Sequence, residues 1–301
     1  MGIPAAVVLG ATGRIGQLMQ LAPPEGLHLR LQARRPQDGH VRAGGDWHIL
    51  DPLADPQVLA HLAEGAEALL CLAGPVPGRG PTGETADMED HIRLGEAAVR
   101  AGAAAGCRVL LASSAAVYGA QGGLLDEAAP LQPANAYGAA KAEMERRCAA
   151  LGTELGVPVC ALRIGNTAGL DAILGGWREG FVLDRFADGS SPRRSYIGVQ
   201  ALARVLAALL AQPVLPRVLN VAQPGAVEMA ALLQAAGKPF GTRPAPAGAI
   251  PEVALDTNRL QALLPFALVP ADPAQMAAEW AALEPYFTWS EPNIKKEQSC
   301  R

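Results

Sequence analysis

The chain has 301 residues, of which 50% are hydrophobic and 18% charged, a composition that buries a full core and excludes a disordered polypeptide. Its net charge of -4 gives no electrostatic reason for binding nucleic acid or a membrane surface. The five cysteines are odd in number and lack paired metal-ligand spacing, and the five histidines form no ligand motif, so reduced thiols, a cytoplasmic setting and no bound metal are expected.

The first residues run almost directly into an apolar stretch, so no secretory leader is expected. Ala5-Ala6-Val7-Val8-Leu9 is unbroken in its hydrophobicity, as in a strand covered on both faces. The glycine-rich run Gly10-Ala11-Thr12-Gly13-Arg14-Ile15-Gly16 follows, and then a helical segment to about residue 21. Residues 27–33 read as a second strand, ending in Arg34-Arg35-Pro36, and His48-Ile49-Leu50 runs into Asp51-Pro52. A helix at 56–63 precedes a buried strand at 68–73, closed by Gly74-Pro75. A long alanine-rich helix covers 85–104, a strand covers 108–112, and a Gly- and Pro-rich loop leads to Tyr137. The helix holding Tyr137 runs to about residue 155, and 158–162 is the next strand.

Strands alternating with helices of this length predict a parallel sheet covered on both faces and joined by right-handed crossovers. Residues 165–193 break the rhythm. It returns with a helix at 199–211, too short and carrying Arg204, so that no membrane span is expected, and a strand at 217–221. Two short helices, near 228–236 and 274–283, flank a Pro-rich connection, and the polar end from 291 to 301 is expected to fray.

Three groups of residues carry chemistry. Gly10, Gly13 and Gly16 stand where a strand turns into a helix, where the backbone bends tightly and a helix N-terminus can receive a diphosphate. At the end of the second strand, about 20 residues on, NAD calls for a carboxylate and NADP for a cation; Arg34 and Arg35 are cations with no acid beside them, which favours NADP with NAD possible. Tyr137 and Lys141 are four apart on a helix and share a face. An ammonium about 4 Å from a phenol, in an effective dielectric of about 20, stabilises phenolate by up to ~4 kcal/mol, or roughly three pKa units, which brings a tyrosine towards neutral pH.

The motifs occur in one order: Gly10 to Gly16, Asp51-Pro52, Leu72-Ala73-Gly74, Ser113-Ser114-Ala115-Ala116-Val117-Tyr118-Gly119, Tyr137 to Lys141, and Arg163-Ile164-Gly165-Asn166. In this the chain resembles an extended short-chain dehydrogenase/reductase of the NAD-dependent epimerase/dehydratase family, over nearly its whole length to about residue 264. The resemblance implies an α/β fold, a Rossmann-type doubly wound parallel sheet with a small, mixed α/β C-terminal substrate lobe. It divides the chain into a dinucleotide-binding domain (1–165 and 194–222), a substrate lobe (166–193 and 223–290) and the tail. It also implies a homodimer through the two long helices.

Carried over by position, Ser114 matches the hydroxyl that bonds the substrate oxygen, Tyr137 the catalytic acid/base, and Lys141 the residue that holds the nicotinamide ribose. Gly10, Thr12, Gly13, Arg14, Ile15, Gly16, Arg34, Asp51, Pro52, Leu72, Ala73 and Gly74 match the cofactor site, with Asp51 at the adenine. Asn166 matches a substrate-binding position. Arg194 and Arg243 resemble the two arginines that contact a nucleotide-sugar diphosphate, whose forked guanidiniums suit such a group. Arg178, Arg185 and Arg193 are alternatives in the irregular segment, and Trp177, Phe181 and Phe186 are read as lobe anchors.

The departures are specific. Val199-Gln200-Ala201 stands where the family usually has Val-Asp-Asp, Asp87 where it has asparagine, and Ile164 where proline is common. Ala115-Ala116 replaces the acid pair used by resembling 4,6-dehydratases, and elimination of water needs an extra acid and base, so dehydration is not expected. The resulting expectation is an NAD(P)-dependent epimerase acting on a nucleotide sugar through a transient keto intermediate. An NADPH-dependent reductase of a keto sugar or other ketone is the alternative, and a non-catalytic NADP-binding sensor or scaffold the third reading.

Overall fold

A computed structural model describes residues 4–21, 26–35, 45–75 and 87–287. Seven strands, β1 (Ala5–Leu9), β2 (His28–Ala33), β3 (Gly45–Ile49), β4 (Ala68–Cys71), β5 (Arg108–Ser114), β6 (Val159–Ile164) and β7 (Val218–Val221), form one sheet. Its order is β7-β6-β5-β4-β1-β2-β3 and every neighbouring pair is parallel. The chain therefore leaves β1 towards one edge and returns beside it as β4. In open α/β sheets such a reversal opens a crevice at the carboxyl ends of the strands.

Helices cover both faces, which is why β1 is buried at all five positions. Val7 and Leu9 point to the side packed by α2 (Pro56–Ala63), α3 (Asp90–Ala105) and α4 (Ala136–Leu155), in a core with Leu59, Val99 and Met144. Ala6 and Val8 point to the other, with Leu18 of α1 (Arg14–Leu21) and Leu202 of α5 (Val199–Ala211). The alternation is the two-residue period of a strand. Gly95 lets α3 approach α4, because a Cβ there would lie 2.8 Å from Cys148 Sγ. The start of α4 is set locally: Asn135 Oδ1 accepts from the Gly138 amide at 2.8 Å, a side-chain cap on an otherwise orphaned donor.

The rest is built from shorter pieces. A four-stranded mixed sheet joins Val227–Glu228, Arg193–Arg194, Glu252–Leu255 and Leu124–Leu125. Asn166–Thr167 pairs with Tyr196–Ile197, and Val182–Arg185 with Gly241–Pro244. Around these pack α6 (Met229–Ala235), α7 (Asn258–Leu263) and α8 (Pro273–Leu283). The helices at 229–235 and 273–283 follow the sequence pattern closely. Helix α7 and the strand at 252–255 lie in the stretch read as a Pro-rich connection; six and four residues are too few to show a period. The long helix read from residue 85 begins at Asp90, and its expected first residues, 85 and 86, lie outside the described residues, as does the tail. Among the described residues no helix is long and apolar enough to cross a membrane.

Candidate active site

The candidate residues gather at the carboxyl ends of β1, β4 and β5. Gly10 ends β1 with φ +76°, and a Cβ on it would meet the Ala73 amide nitrogen at 2.7 Å, so only glycine fits. Gly16 packs on the turn itself, where a Cβ would meet the Ala11 carbonyl oxygen at 2.5 Å. Gly13 donates its amide to the Gly10 carbonyl at 2.9 Å and closes the turn. Thr12 is exposed and Ile15 half-buried. Leu72 donates to the Leu9 carbonyl at 3.0 Å, which carries Leu72, Ala73 and Gly74 past the glycine turn.

Sequence reasoning missed Gln32. This buried side chain accepts from the Gly10 amide at 2.9 Å and donates to the Leu50 carbonyl at 2.7 Å, tying together the ends of β1, β2 and β3. The available signal was an amide inside an apolar strand, since a buried amide needs partners at both ends. Beyond it Arg34 and Arg35 are exposed, and Asp51 closes its own turn by accepting from the Leu53 amide at 2.9 Å, with Pro52 buried behind. Arg14 leaves the glycine turn altogether: its guanidinium donates to the Leu170 carbonyl and its charge acts on Tyr137.

Ser114 is the last residue of β5, and its hydroxyl accepts from the Ala116 amide at 3.2 Å, opening the turn Ala115–Val117. Its neighbour Ser113 faces the opposite way, donating to Glu145 Oε1 at 2.5 Å beneath α4, as strand alternation requires. Tyr137 lies in the first turn of α4 and Lys141 one turn later. Lys141, 5% exposed, donates from Nζ to the Ala112 carbonyl at 2.6 Å and stands 5.8 Å from the centroid of the Tyr137 ring.

The electrostatics differ from the sequence expectation. Burial raises the pKa of the Tyr137 phenol, opposed by the Ser114 hydroxyl and then by the Arg14 charge. The Lys141 ammonium, one turn further along the helix, donates to the Ala112 carbonyl rather than to the phenol. Burial also pushes the Lys141 ammonium itself down to about 8, against the upward pull of Cys71 and Glu145. Helical spacing thus places Tyr137 and Lys141 on one face, but at the phenol desolvation outweighs the Ser114 hydroxyl and the Arg14 charge.

Beneath this face lies a buried ion pair. Arg163 of β6 bonds Glu145 at 2.8 Å, the two being 5% and 6% exposed, and passes the network on through Tyr118 (2.9 Å) to Asn220 of β7 (2.7 Å from the Tyr118 hydroxyl). The carboxylate four residues after Lys141 is therefore neutralised below the site and does not enter it.

The substrate candidates are dispersed. Asn166 lies against the Tyr196 hydroxyl, which donates to Asp171 at 2.8 Å. Arg194 is partly buried, its guanidinium donating to the carbonyls of Arg193 (2.6 Å), Ile250 (3.2 Å) and Pro251 (3.5 Å). Arg243 belongs to another sheet, is exposed, and is already paired with Asp184 at 2.7 Å. Arg193, in the same strand as Arg194, is also exposed and already paired, with Glu252 at 2.9 Å. Trp177 anchors the lobe, donating to the Pro239 carbonyl at 2.8 Å.

A dinucleotide fits this arrangement on observations of the protein alone. The N-terminal turn of α1 contains no acid that would repel a diphosphate, Lys141 stands at the end of β5, and neither ring nitrogen of His91 has a hydrogen-bond partner among the described residues.

The sheet order, the glycine turn after β1 and the grouping of Ser114, Tyr137 and Lys141 define the architecture of an extended short-chain dehydrogenase/reductase. The sequence pattern of the NAD dependent epimerase/dehydratase family matches residues 6–222, well over half of the chain, which therefore belongs to that family. No curated protein sequence matches it significantly. Among solved structures it is similar to the UDP-glucose 4-epimerase from Brucella ovis in complex with NAD (TM-score 0.78, 21% identity, 94% of this chain and 98% of that one). It is also similar to the UDP-glucose 4-epimerase from Bifidobacterium longum in complex with NAD+ and UDP (0.74, 16%, 94% and 100%). A third is the UDP-glucuronic acid 4-epimerase from Bacillus cereus in complex with UDP-glucuronic acid and NAD (0.72, 16%, 94% and 100%). At these identities the likeness is one of fold.

Proposed function

We propose that this protein is an NAD(P)-dependent epimerase that inverts a carbinol carbon of a nucleotide sugar through a transient ketone. The observation that carries the substrate class is Arg194. Its guanidinium is oriented by backbone carbonyls and has no carboxylate within ion-pair distance among the described residues, so its charge is left for an anion such as a diphosphate. Solved structures of the same fold hold UDP or a UDP-sugar.

In the forward half-reaction Ser114 holds the substrate hydroxyl oxygen while Tyr137 takes its proton. A bound nicotinamide supplies the acceptor for the carbinol hydride and the donor that returns it. Tyr137 then gives its proton back to the oxygen on the inverted carbon, so no net proton is exchanged. Burial raises the phenol pKa, so proton loss from Tyr137 needs a stabilising charge in the bound state, and Lys141, which has donors beyond the one on the Ala112 carbonyl, is the nearby cation that can supply it. Ala115 and Ala116 supply no second acid or base, so the ketone is not carried on to dehydration.

An NADPH-dependent ketone reductase is the second reading, and Arg34 favours it: an exposed cation at the end of β2, with no acid from Gln32 to Arg35, suits a 2′-phosphate and a cofactor that exchanges. A homodimer through α3 and α4 and a cytoplasmic setting belong to the same proposal. The four described cysteines, all free and buried, support the setting. The test is incubation with UDP-sugars and NAD or NADP, followed by NMR of the sugar ring. An epimeric mixture with no net change in cofactor absorbance is the expected result. Stoichiometric NADPH consumption on a keto substrate favours the reductase, and neither outcome with any pair rejects both.

A further inference from the structure

His91 is a buried polar group that the chemistry above does not use. It lies in α3, 3% exposed, and neither ring nitrogen has a hydrogen-bond partner among the described residues. The Pro75 carbonyl leans towards the ring without reaching hydrogen-bond geometry. Buried polar groups are normally paired, and an apolar side chain of similar shape would avoid the penalty altogether.

Its position is specific. The imidazole stands edge-on to Tyr137, with ring centroids 5.4 Å apart and planes at 72°. On its other side Nδ1 rests against Gly74, where a Cβ would come within 2.3 Å of it. Gly74 belongs to the strand-end segment that passes the glycine turn, and the Lys141 charge also acts on the ring. Burial, and then Lys141, push the imidazole pKa down to about 3, so the ring is neutral and offers one donor and one acceptor. Such a group suits a hydroxyl or an amide and has nothing to attract a phosphate.

The sheet order assigns the end of the ligand. Arg34 and Asp51 follow β2 and β3 on one side of β1, whereas His91, Ser114, Tyr137 and Lys141 stand by β4 and β5 on the other. A dinucleotide lying across the reversal has its adenine end over the first group and its nicotinamide end over the second. We propose that His91 is a cofactor-binding residue of this chain, hydrogen-bonding the uncharged polar groups of the nicotinamide end while bracing the Tyr137 ring from the side. The inference rests on the dinucleotide reading made above.

Titration calorimetry of the full chain tests it with NAD, NADP and ADP, the last lacking the nicotinamide end. In His91→Phe the Kd of the dinucleotide is expected to rise about tenfold, equivalent to about 1.4 kcal/mol, with the Kd of ADP unchanged. The ligand-free variant should melt at or above the temperature of the parent, because the unpaired nitrogens are gone. His91→Asn, which restores a donor and an acceptor, should keep most of the affinity. An unchanged dinucleotide Kd in His91→Phe overturns the proposal, as does an equal loss for ADP, which would mean a general loosening of the fold. Should His91→Phe not fold, His91→Leu carries the same comparison. A parent protein that binds neither NAD nor NADP overturns the dinucleotide reading itself; parent binding with an indifferent His91 variant overturns this inference alone.

Discussion

Ser114, Tyr137 and Lys141 rest on a sheet whose strands run from four to seven residues, each parallel to its neighbour, whereas Asn166, Arg194 and Arg243 rest on strands of two to four residues in three separate small sheets. The polar contacts follow the same division. Under the first group Arg163 and Glu145 form an ion pair 5% and 6% exposed; in the second, Arg243 and Asp184 are 66% and 23% exposed. Side chains of the first kind are set by desolvation, where one wrong group is expensive. Those of the second are set by surface contacts that solvent can replace. On the function proposed above, the chemistry is built on the deeply buried part of the chain and substrate choice on the more exposed part.

Substitutions can break or sharpen that contrast. The largest effect is expected for Tyr137→Phe, with kcat lower by about 10²–10⁴-fold and dinucleotide Kd nearly unchanged; full turnover in a steady-state assay would end the mechanism. Glu145→Ala leaves Arg163 buried and unpaired and should lower unfolding stability by about 3–5 kcal/mol in urea titration, while Asp184→Ala, on the exposed pair, should stay within about 1 kcal/mol. If the two variants lose the same amount, the division between the regions is false.

Acid should act on the first region through His91. Its folded-state pKa of about 3 lies below the ordinary value of 6.5, so between those pH values the unfolded chain binds a proton that the folded chain refuses. Stability from this group is intact above pH 6.5 and falls as pH drops towards 3, a slope that His91→Asn should flatten in acid-unfolding curves. Arg194→Ala should raise KM for a nucleotide sugar by about 10–100-fold with little change for a simple ketone, and Arg243→Ala should do far less. The smallest effect is that of Arg34→Asp, a shift of roughly tenfold in the NADP-to-NAD preference, read from the two dissociation constants. An unchanged ratio would place Arg34 in solvent.

Much of the deeply buried region was legible because its signals are local. The apolar run Ala5 to Leu9, the three glycines and the Tyr137–Lys141 spacing each follow from neighbours in the chain. The α4 cap at Asn135 and the turn at Gly10 have the same origin. The partners of Gln32 and His91 were not legible, since each matters through residues far away in sequence: Gln32, whose only local signal was an amide in an apolar strand, through Gly10 and Leu50, and His91 through Gly74 and Tyr137. The lobe strands at 193–194 and 252–255 escaped notice because two to four residues show no alternation, and their pairing is settled by long-range packing.

By itself the sequence determined the sheet, its nucleotide-binding turn and the helix face that brings a phenol and an ammonium together, because helical and strand periods are properties of a few consecutive residues. The tertiary structure alone decided what those groups are chemically. Burial raises the phenol of Tyr137 and keeps His91 neutral beside it; Lys141 donates to the Ala112 carbonyl, pairing with Asp184 occupies Arg243, and backbone carbonyls orient Arg194. Ionisation depends on solvent exclusion and on charges brought from distant parts of the chain, and neither is written in any one segment.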